Sequence, residues 1–174
     1  MTIRTYMEAL LKAYGASYDL TVPYSYEGLS FTAYGFFYAH QEKYVLSREA
    51  QMWESNGFDH AFFLEADRLT PELFKSVCQM VQTHAEPELV RGGKKLPVKN
   101  HMYSDITIVF VSRERIPDGL LRQIRRYRFS RNYLFTIRGW CDARAVAVDL
   151  AENRVYGNAK AKPLLKFYRK LLTE

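Results

Sequence analysis

Ile106-Thr107-Ile108-Val109-Phe110-Val111 is the run on which the fold turns. Six β-favouring residues follow one another with apolar side chains on both faces, and such a strand has to be covered above and below. It predicts an interior strand in a sheet that carries helices. The expected class is therefore mixed α/β (α+β), with a single mixed or antiparallel sheet and helices on at least one face.

Towards the C terminus, Pro117 and Asp118 open a helix whose Leu120, Leu121, Ile124 and Tyr127 point inward. Tyr133 to Asp142 and Ala143 to Asp149 read as strands. The turn Leu150-Ala151-Glu152-Asn153 leads into Arg154-Val155-Tyr156, and a last helix runs from about Pro163 with Leu164, Leu165, Tyr168, Leu171 and Leu172 inward.

Towards the N terminus, residues 85–104 hold two prolines, two adjacent glycines and four Lys/Arg without periodicity, which predicts a long internal loop. Before it, Thr70-Pro71-Glu72 supplies an N-cap, a proline at the first helical position and an acid in the first turn. Leu73, Phe74, Val77, Met80 and Val81 form that helix's buried stripe. From Leu29 to His40 the period is two, so one long strand is expected.

Between Tyr44 and Leu69 two readings compete. Ser47 can cap a helix to Asn56 with Gly57 after it, but Asn56-Gly57 is also a strong hairpin signal, and Ala61-Phe62-Phe63-Leu64 beyond it reads as a strand. A three-stranded meander is preferred. The chain opens with a helix in which Thr5-Tyr6-Met7-Glu8 has capping-box spacing, Tyr6, Leu10 and Tyr14 repeat, and Gly15 ends the element. The order is α-βββ-α-β-α-ββ(β)-α in one domain, 1–174.

The 174 residues are 48% apolar, with 11 Phe, 13 Tyr and 2 Trp, enough for a sizeable core. Met1-Thr2-Ile3-Arg4-Thr5 lacks the features of a signal peptide, and no apolar run approaches the roughly 20 residues of a membrane span. A cytoplasmic protein with no membrane partner is expected. Cys78 and Cys141 are expected to be reduced.

Charge divides the chain at Val90. Residues 1–90 carry 6 Lys/Arg against 12 Asp/Glu, and residues 91–174 carry 19 against 7. Seven arginines fall between Arg113 and Arg131. The basic half is either the footprint of a polyanion or the partner of the acidic half.

Arg138-Gly139-Trp140-x-Asp142-x-Arg144-x-Val146-Ala147-Val148-Asp149-Leu150, then Arg154-Val155-Tyr156 and a basic terminal helix, resembles small bacterial proteins known only as domains of unknown function. The resemblance lies mainly in residues 133–174. It implies a cytosolic bacterial protein and brings no activity or catalytic residues with it.

No motif assigns chemistry. His40, His60, His84 and His101 are scattered and neither cysteine has a second one nearby, which disfavours a structural zinc site. Cys141 beside Asp142 invites a nucleophile reading with His101 or His60 as base, but nothing in the sequence places them together. For a metal-dependent phosphodiesterase, the acid-x-lysine pair on a strand is missing. Glu65 and Asp67, with Asp105 or Asp142, are the nearest substitutes for holding a hard cation, against the plainer reading of exposed acids at a strand end. Arg91-Gly92-Gly93-Lys94-Lys95 lacks the spacing of a nucleotide-binding loop.

The arginine helix offers more. At 100° per residue, Arg122, Arg125 and Arg126 oppose Leu121, Ile124 and Tyr127, and the terminal helix sets Lys166, Arg169 and Lys170 opposite Leu164, Tyr168 and Leu171. If both ridges shared one side of the sheet, they would neutralise several phosphates of a nucleic acid. The leading expectation is a non-enzymatic interaction or regulatory module with a protein partner or a second copy of itself. Sequence-independent nucleic-acid binding and a metal-dependent phosphodiesterase are the alternatives, and no cofactor is expected.

Overall fold

The structure is a computed structural model that describes residues 1–43 and 53–173. It has four α-helices and a mixed seven-stranded sheet, with a small two-stranded sheet beside it. This is the α/β class and roughly the order that the sequence predicts.

Helix α1 (Ile3–Gly15) starts earlier than its capping-box spacing suggests, because Thr2 is the extended residue and its Oγ1 accepts from the Thr5 N–H at 3.1 Å. Gly15 stays inside the helix, and Ala16 caps it in a right-handed conformation. Strand β1 (Asp19–Thr21) follows, then the hairpin β2 (Tyr24–Tyr26) and β3 (Leu29–Phe31), which turns on Glu27 and Gly28 at positive φ.

The long strand expected from Leu29 to His40 is interrupted. Thr32 donates its N–H to the Phe63 carbonyl at 2.8 Å, and β4 (Ala33–Lys43) begins after it. Phe31 and Ala33 would share a face in an unbroken strand, yet they lie in two different buried clusters.

Strand β4 pairs antiparallel with β5 (Trp53–Ala66), placing Asn56 opposite His40 and Gly57 opposite Ala39. Asn56-Gly57 is therefore within a strand and makes no hairpin turn; the eleven-pair ladder with β4 outweighs the local turn preference. The proposed cap at Ser47 lies outside the described residues.

Helix α2 (Pro71–Met80) is capped by Thr70, whose Oγ1 accepts from the Leu73 N–H at 3.2 Å. It continues as a π-helical segment, Val81–Val90, straight through Pro87. The loop predicted over 85–104 thus shrinks to residues 91–100, because β6 (His101–Ser112) starts earlier than expected. Glu86 explains the override. Its carboxylate is fully buried and binds Arg91 at 2.7 and 3.1 Å, Arg131 at 2.7 Å and the Tyr133 hydroxyl at 2.6 Å. A tertiary anchor of this strength outweighs the local cost of the proline.

Helix α3 (Asp118–Arg126) buries Leu120, Leu121 and Ile124 as predicted. The strand expected from Tyr133 differs. Strand β7 (Ser130–Asn132) ends before it, and Leu134, Phe135 and Thr136 turn the chain with three successive positive φ values. A single strand, β8 (Trp140–Asp149), then spans the expected break at Asp142. Strand β9 (Arg154–Gly157), a 3-10 turn (Ala159–Leu164) and α4 (Leu165–Leu171) complete the chain.

The sheet order is β1-β4-β5-β6-β8, with β7 and β9 both on the outer side of β8. Strands β5, β6 and β8 run parallel, and the remaining pairs are antiparallel. One face carries Phe62, Ile106, Ile108, Phe110 and Ala145 beneath α2, the π segment and α3. The other carries Ala61, Phe63, Val109, Val146 and Val148 beneath α1 and α4. There the Tyr14 and Tyr168 hydroxyls meet at 2.5 Å, and the Tyr6 hydroxyl donates to the Tyr168 carbonyl at 3.1 Å. Among the described residues no helix is long and apolar enough to cross a membrane.

Candidate functional site on the open half of the sheet

Strand register builds the site. Successive rows across the α1/α4 face read Ala33–Phe63–Val109–Val146, then Gly35–Ala61–Thr107–Arg144, then Phe37–Asp59–Asp105–Asp142, then Ala39–Gly57–Tyr103–Trp140. The first row belongs to the core under the helices. Two rows further along the composition changes, and Tyr18, Phe37, Asp59, Tyr103, Asp105, Trp140, Asp142 and Arg144 line a cavity of about 430 Å³. That volume suits a small ligand.

Three aspartates thus stand side by side on three parallel strands, each less than one-tenth exposed. Asp59 accepts from the Tyr18 hydroxyl at 2.7 Å and the Thr107 hydroxyl at 3.0 Å. Arg144 leans back one row, between Asp59 (3.5 Å) and Asp105, with which it forms a close ion pair. Asp142 is held by Ser130 at 2.5 Å and by Lys160 at 2.7 Å. Among the described residues, the second carboxylate oxygen of Asp105, Oδ1, accepts no hydrogen bond.

Burial disfavours charge here. It pushes the Asp105 carboxyl up to about 7, with Asp59 and Asp142 adding repulsion and Arg144 and Lys160 opposing it. Burial likewise raises Asp59, against the hydrogen bonds of Tyr18 and Thr107 and the charge of Arg144. The row therefore contains a carboxyl that changes protonation near neutral pH, beside two that are tied to cations or hydroxyls.

Aromatic rings form the rest of the lining. Tyr103 and Trp140 are neighbours in one row, with centroids 6.3 Å apart and planes 29° from parallel. Tyr103 lies across Gly57, where an added Cβ would stand 2.3 Å from the ring. The register shift between β5 and β6 falls at Asn56/Gly57, so the bulge and the glycine together let the tyrosine reach across.

Of the residues singled out from the sequence, two reach the cavity and the others are placed elsewhere. Asp105 and Asp142 join the cavity, but Glu65 and Asp67 are exposed beyond the opposite end of the core rows. Glu65 is six residues from Asp59 along β5, roughly 20 Å. Asp67 pairs with Arg113 at 3.0 Å. Glu65, Asp67 and Asp142 are thus not brought together. Arg122, Arg125, Arg126, Lys166, Arg169 and Lys170 are exposed as predicted, but α3 and α4 cover opposite faces of the sheet, so their ridges do not share one side. The Arg125 guanidinium sits 5.2 Å from the Tyr156 ring centre. Arg91, in the glycine loop, is engaged by Glu86 and by the Lys94 carbonyl at 2.7 Å.

Cys141 is buried on the α3 face, and burial pushes its thiol well above the usual range, unlike a nucleophile. On the surface, Glu27, His84 and Glu88 gather within 4.8 Å of one another, with His84 at 3.5 and 3.2 Å from the two glutamates.

Part of the charge divide is met by pairs within the chain. Asp59 with Arg144, Asp67 with Arg113, and Glu86 with Arg91 and Arg131 all join the acidic half to the basic half.

Fold and site together define a mixed α/β protein with a polar, aromatic-lined cavity at the end of one sheet face that, among the described residues, no helix covers. The chain belongs to the family described as "Domain of unknown function (DUF8052)", whose model matches residues 2–170. The likeness expected from residues 133–174 therefore extends over nearly the whole chain. No curated protein matches it, and no solved structure does.

Proposed function

We propose that this protein is a small-molecule-binding module and that the row Asp59–Asp105–Asp142, with the Tyr103–Trp140 platform beside it, is its ligand site. One observation carries the reading: three buried carboxylates in register open onto a cavity of about 430 Å³ rather than into packed core. A sheet that needed only stability would continue the Ala61, Phe63 and Val109 pattern into these rows, because burying charges costs more than burying methyl groups. Polar groups converging on an aromatic-lined cleft are the usual make-up of a ligand site. An interaction or regulatory role follows if ligand occupancy alters what the surface presents to a partner.

A metal-dependent phosphodiesterase is the weaker reading. Arg144 and Lys160 occupy the positions beside the three aspartates that a cation would need, and Glu65 and Asp67 are far away. Nucleic-acid binding is also weaker, since a polyanion lying on one side of the sheet meets only one of the two basic ridges.

The test is a ligand-observed NMR screen of fragment-sized compounds against the wild type and Trp140→Ala. Trp140 is only partly buried, so its removal leaves the core intact. Hits that bind the wild type and vanish with Trp140→Ala support the proposal. Hits that persist in the variant, or no hits at all, contradict it.

A further inference from the structure

We infer that the cavity takes an organic monocation, an ammonium-bearing molecule with a flat apolar body, whose charge completes a set of three carboxylates and two cations. This rests on the cavity being the ligand site and specifies what enters it.

The charge count comes first. Asp59, Asp105 and Asp142 face Arg144 and Lys160, which leaves one negative charge without a partner when all five groups are ionised. The surplus falls on Asp59 and Asp105, which share Arg144: it pairs closely with Asp105 and stands 3.5 Å from Asp59. Asp59 has two hydroxyl donors and Asp142 has Ser130 and Lys160, whereas Asp105 shares Arg144 with Asp59. Its Oδ1 accepts no hydrogen bond among the described residues, although the residue is only 5% exposed and lines the cavity. An acceptor that opens onto the cavity is placed to take a donor that comes with the ligand.

The walls select the sign of that ligand. Tyr18, Phe37, Tyr103 and Trp140 contribute ring faces or edges to the lining, and aromatic faces attract cations and repel anions. An anion would meet three carboxylates, while both protein cations are already engaged. A neutral polyol would satisfy Oδ1 but leave the charge unbalanced. An ammonium group does both, and its apolar body has the Tyr103–Trp140 platform to lie on.

Protonation supports the same reading. Asp105 faces Asp59 from β5, Asp142 and Arg144 from β8, and Lys160 from the 3-10 turn, and it is held near neutral pH by burial. Without a bound cation, the surplus charge is removed by a proton. With one, the proton leaves, so cation affinity rises with pH through about 7.

Three probes with one aromatic body separate the possibilities: benzylamine (cation), benzyl alcohol (neutral) and benzoate (anion). Each is titrated at pH 8 while the Trp140 indole N–H resonance is followed, and that resonance is assigned by its loss in Trp140→Phe. Benzylamine is expected to bind at least about tenfold more tightly than either analogue. Asp105→Asn, which keeps the shape and removes the charge, is expected to abolish that preference. Lys160→Gln frees Asp142 at a half-exposed position and is expected to strengthen benzylamine binding. Equal or tighter binding of benzyl alcohol or benzoate, with Trp140 displaced, overturns the cation and leaves the cavity as the ligand site. If no probe moves Trp140, both the cation and the site are overturned.

Discussion

The hydroxyl end of the Tyr103 ring reaches over Gly57 on the neighbouring strand, so closely that a Cβ there would stand 2.3 Å from the ring Cζ. The contact joins a backbone irregularity to the site, because the one-residue shift in the β5–β6 register falls at the same point. Gly57→Ala is expected to lift the ring, at a stability cost of about 1–3 kcal/mol from overpacking. Ligand binding should fall further than that of a surface control variant. Thermal melts and a repeat of the fragment titration measure the two effects. An unchanged affinity would show that the tyrosine platform plays no part.

Asp105 imposes a pH dependence on stability. Its carboxyl lies near 7 in the folded protein against an ordinary value of 3.8, so the folded state holds the proton more tightly than the unfolded chain. The resulting stabilisation is fully present below pH 3.8 and is lost as pH rises through about 7. Asp105→Asn is therefore expected to be more stable than the wild type at pH 8, by about 1–2 kcal/mol, and little different at pH 4. Denaturant unfolding at the two pH values decides the matter, and a destabilised variant at pH 8 would count against the account.

The fold class was legible in the sequence because Ile106–Val111 is apolar on both faces, which only a strand covered on both sides explains. Helix α2 was legible for a similar reason, since Thr70-Pro71-Glu72 and the stripe after it agree. The π-helical continuation was not, because Pro87 and the glycines locally favour a loop, while the decisive contacts of Glu86 come from Arg131 and Tyr133 far along the chain. The site was half visible. Asp59, Asp105 and Asp142 each precede the apolar run of their strand, but only the register makes them neighbours, and no local pattern encodes register between β5, β6 and β8. Asn56-Gly57 misled for the same reason, its turn preference being overruled by a long ladder.

Glu86 is the anchor of the π segment. Its carboxyl is held below the usual range: burial alone would raise it, but Arg91, Tyr133 and Arg131 more than reverse the effect. Glu86→Ala leaves two arginines without their buried partner and opens a space beside Tyr133. The expected loss is about 2–3 kcal/mol, since Arg131 is half exposed and recovers water. Hydrogen exchange of residues 81–90 should rise more than that of β6. Equal acceleration throughout would mean that Glu86 does not hold that segment in particular.

The α3 ridge is separate from the site. Arg122→Ala combined with Arg126→Ala is expected to leave stability within about 0.5 kcal/mol and ligand affinity unchanged, because both side chains are exposed on α3, across the sheet from the cavity. Binding of labelled single- and double-stranded DNA and RNA at rising salt provides the complementary measurement. Tight binding that weakens steeply with salt, and weakens again in the double variant, would restore the polyanion reading.

The most direct test of the central claim is the carboxyl titration of Asp105, followed by carbon-13 NMR in the free protein and again with benzylamine present. The account predicts a midpoint of about 7 in the free protein and a clear fall on adding the amine, as the ligand's charge replaces the proton. A midpoint near the ordinary 3.8 in both samples would contradict it.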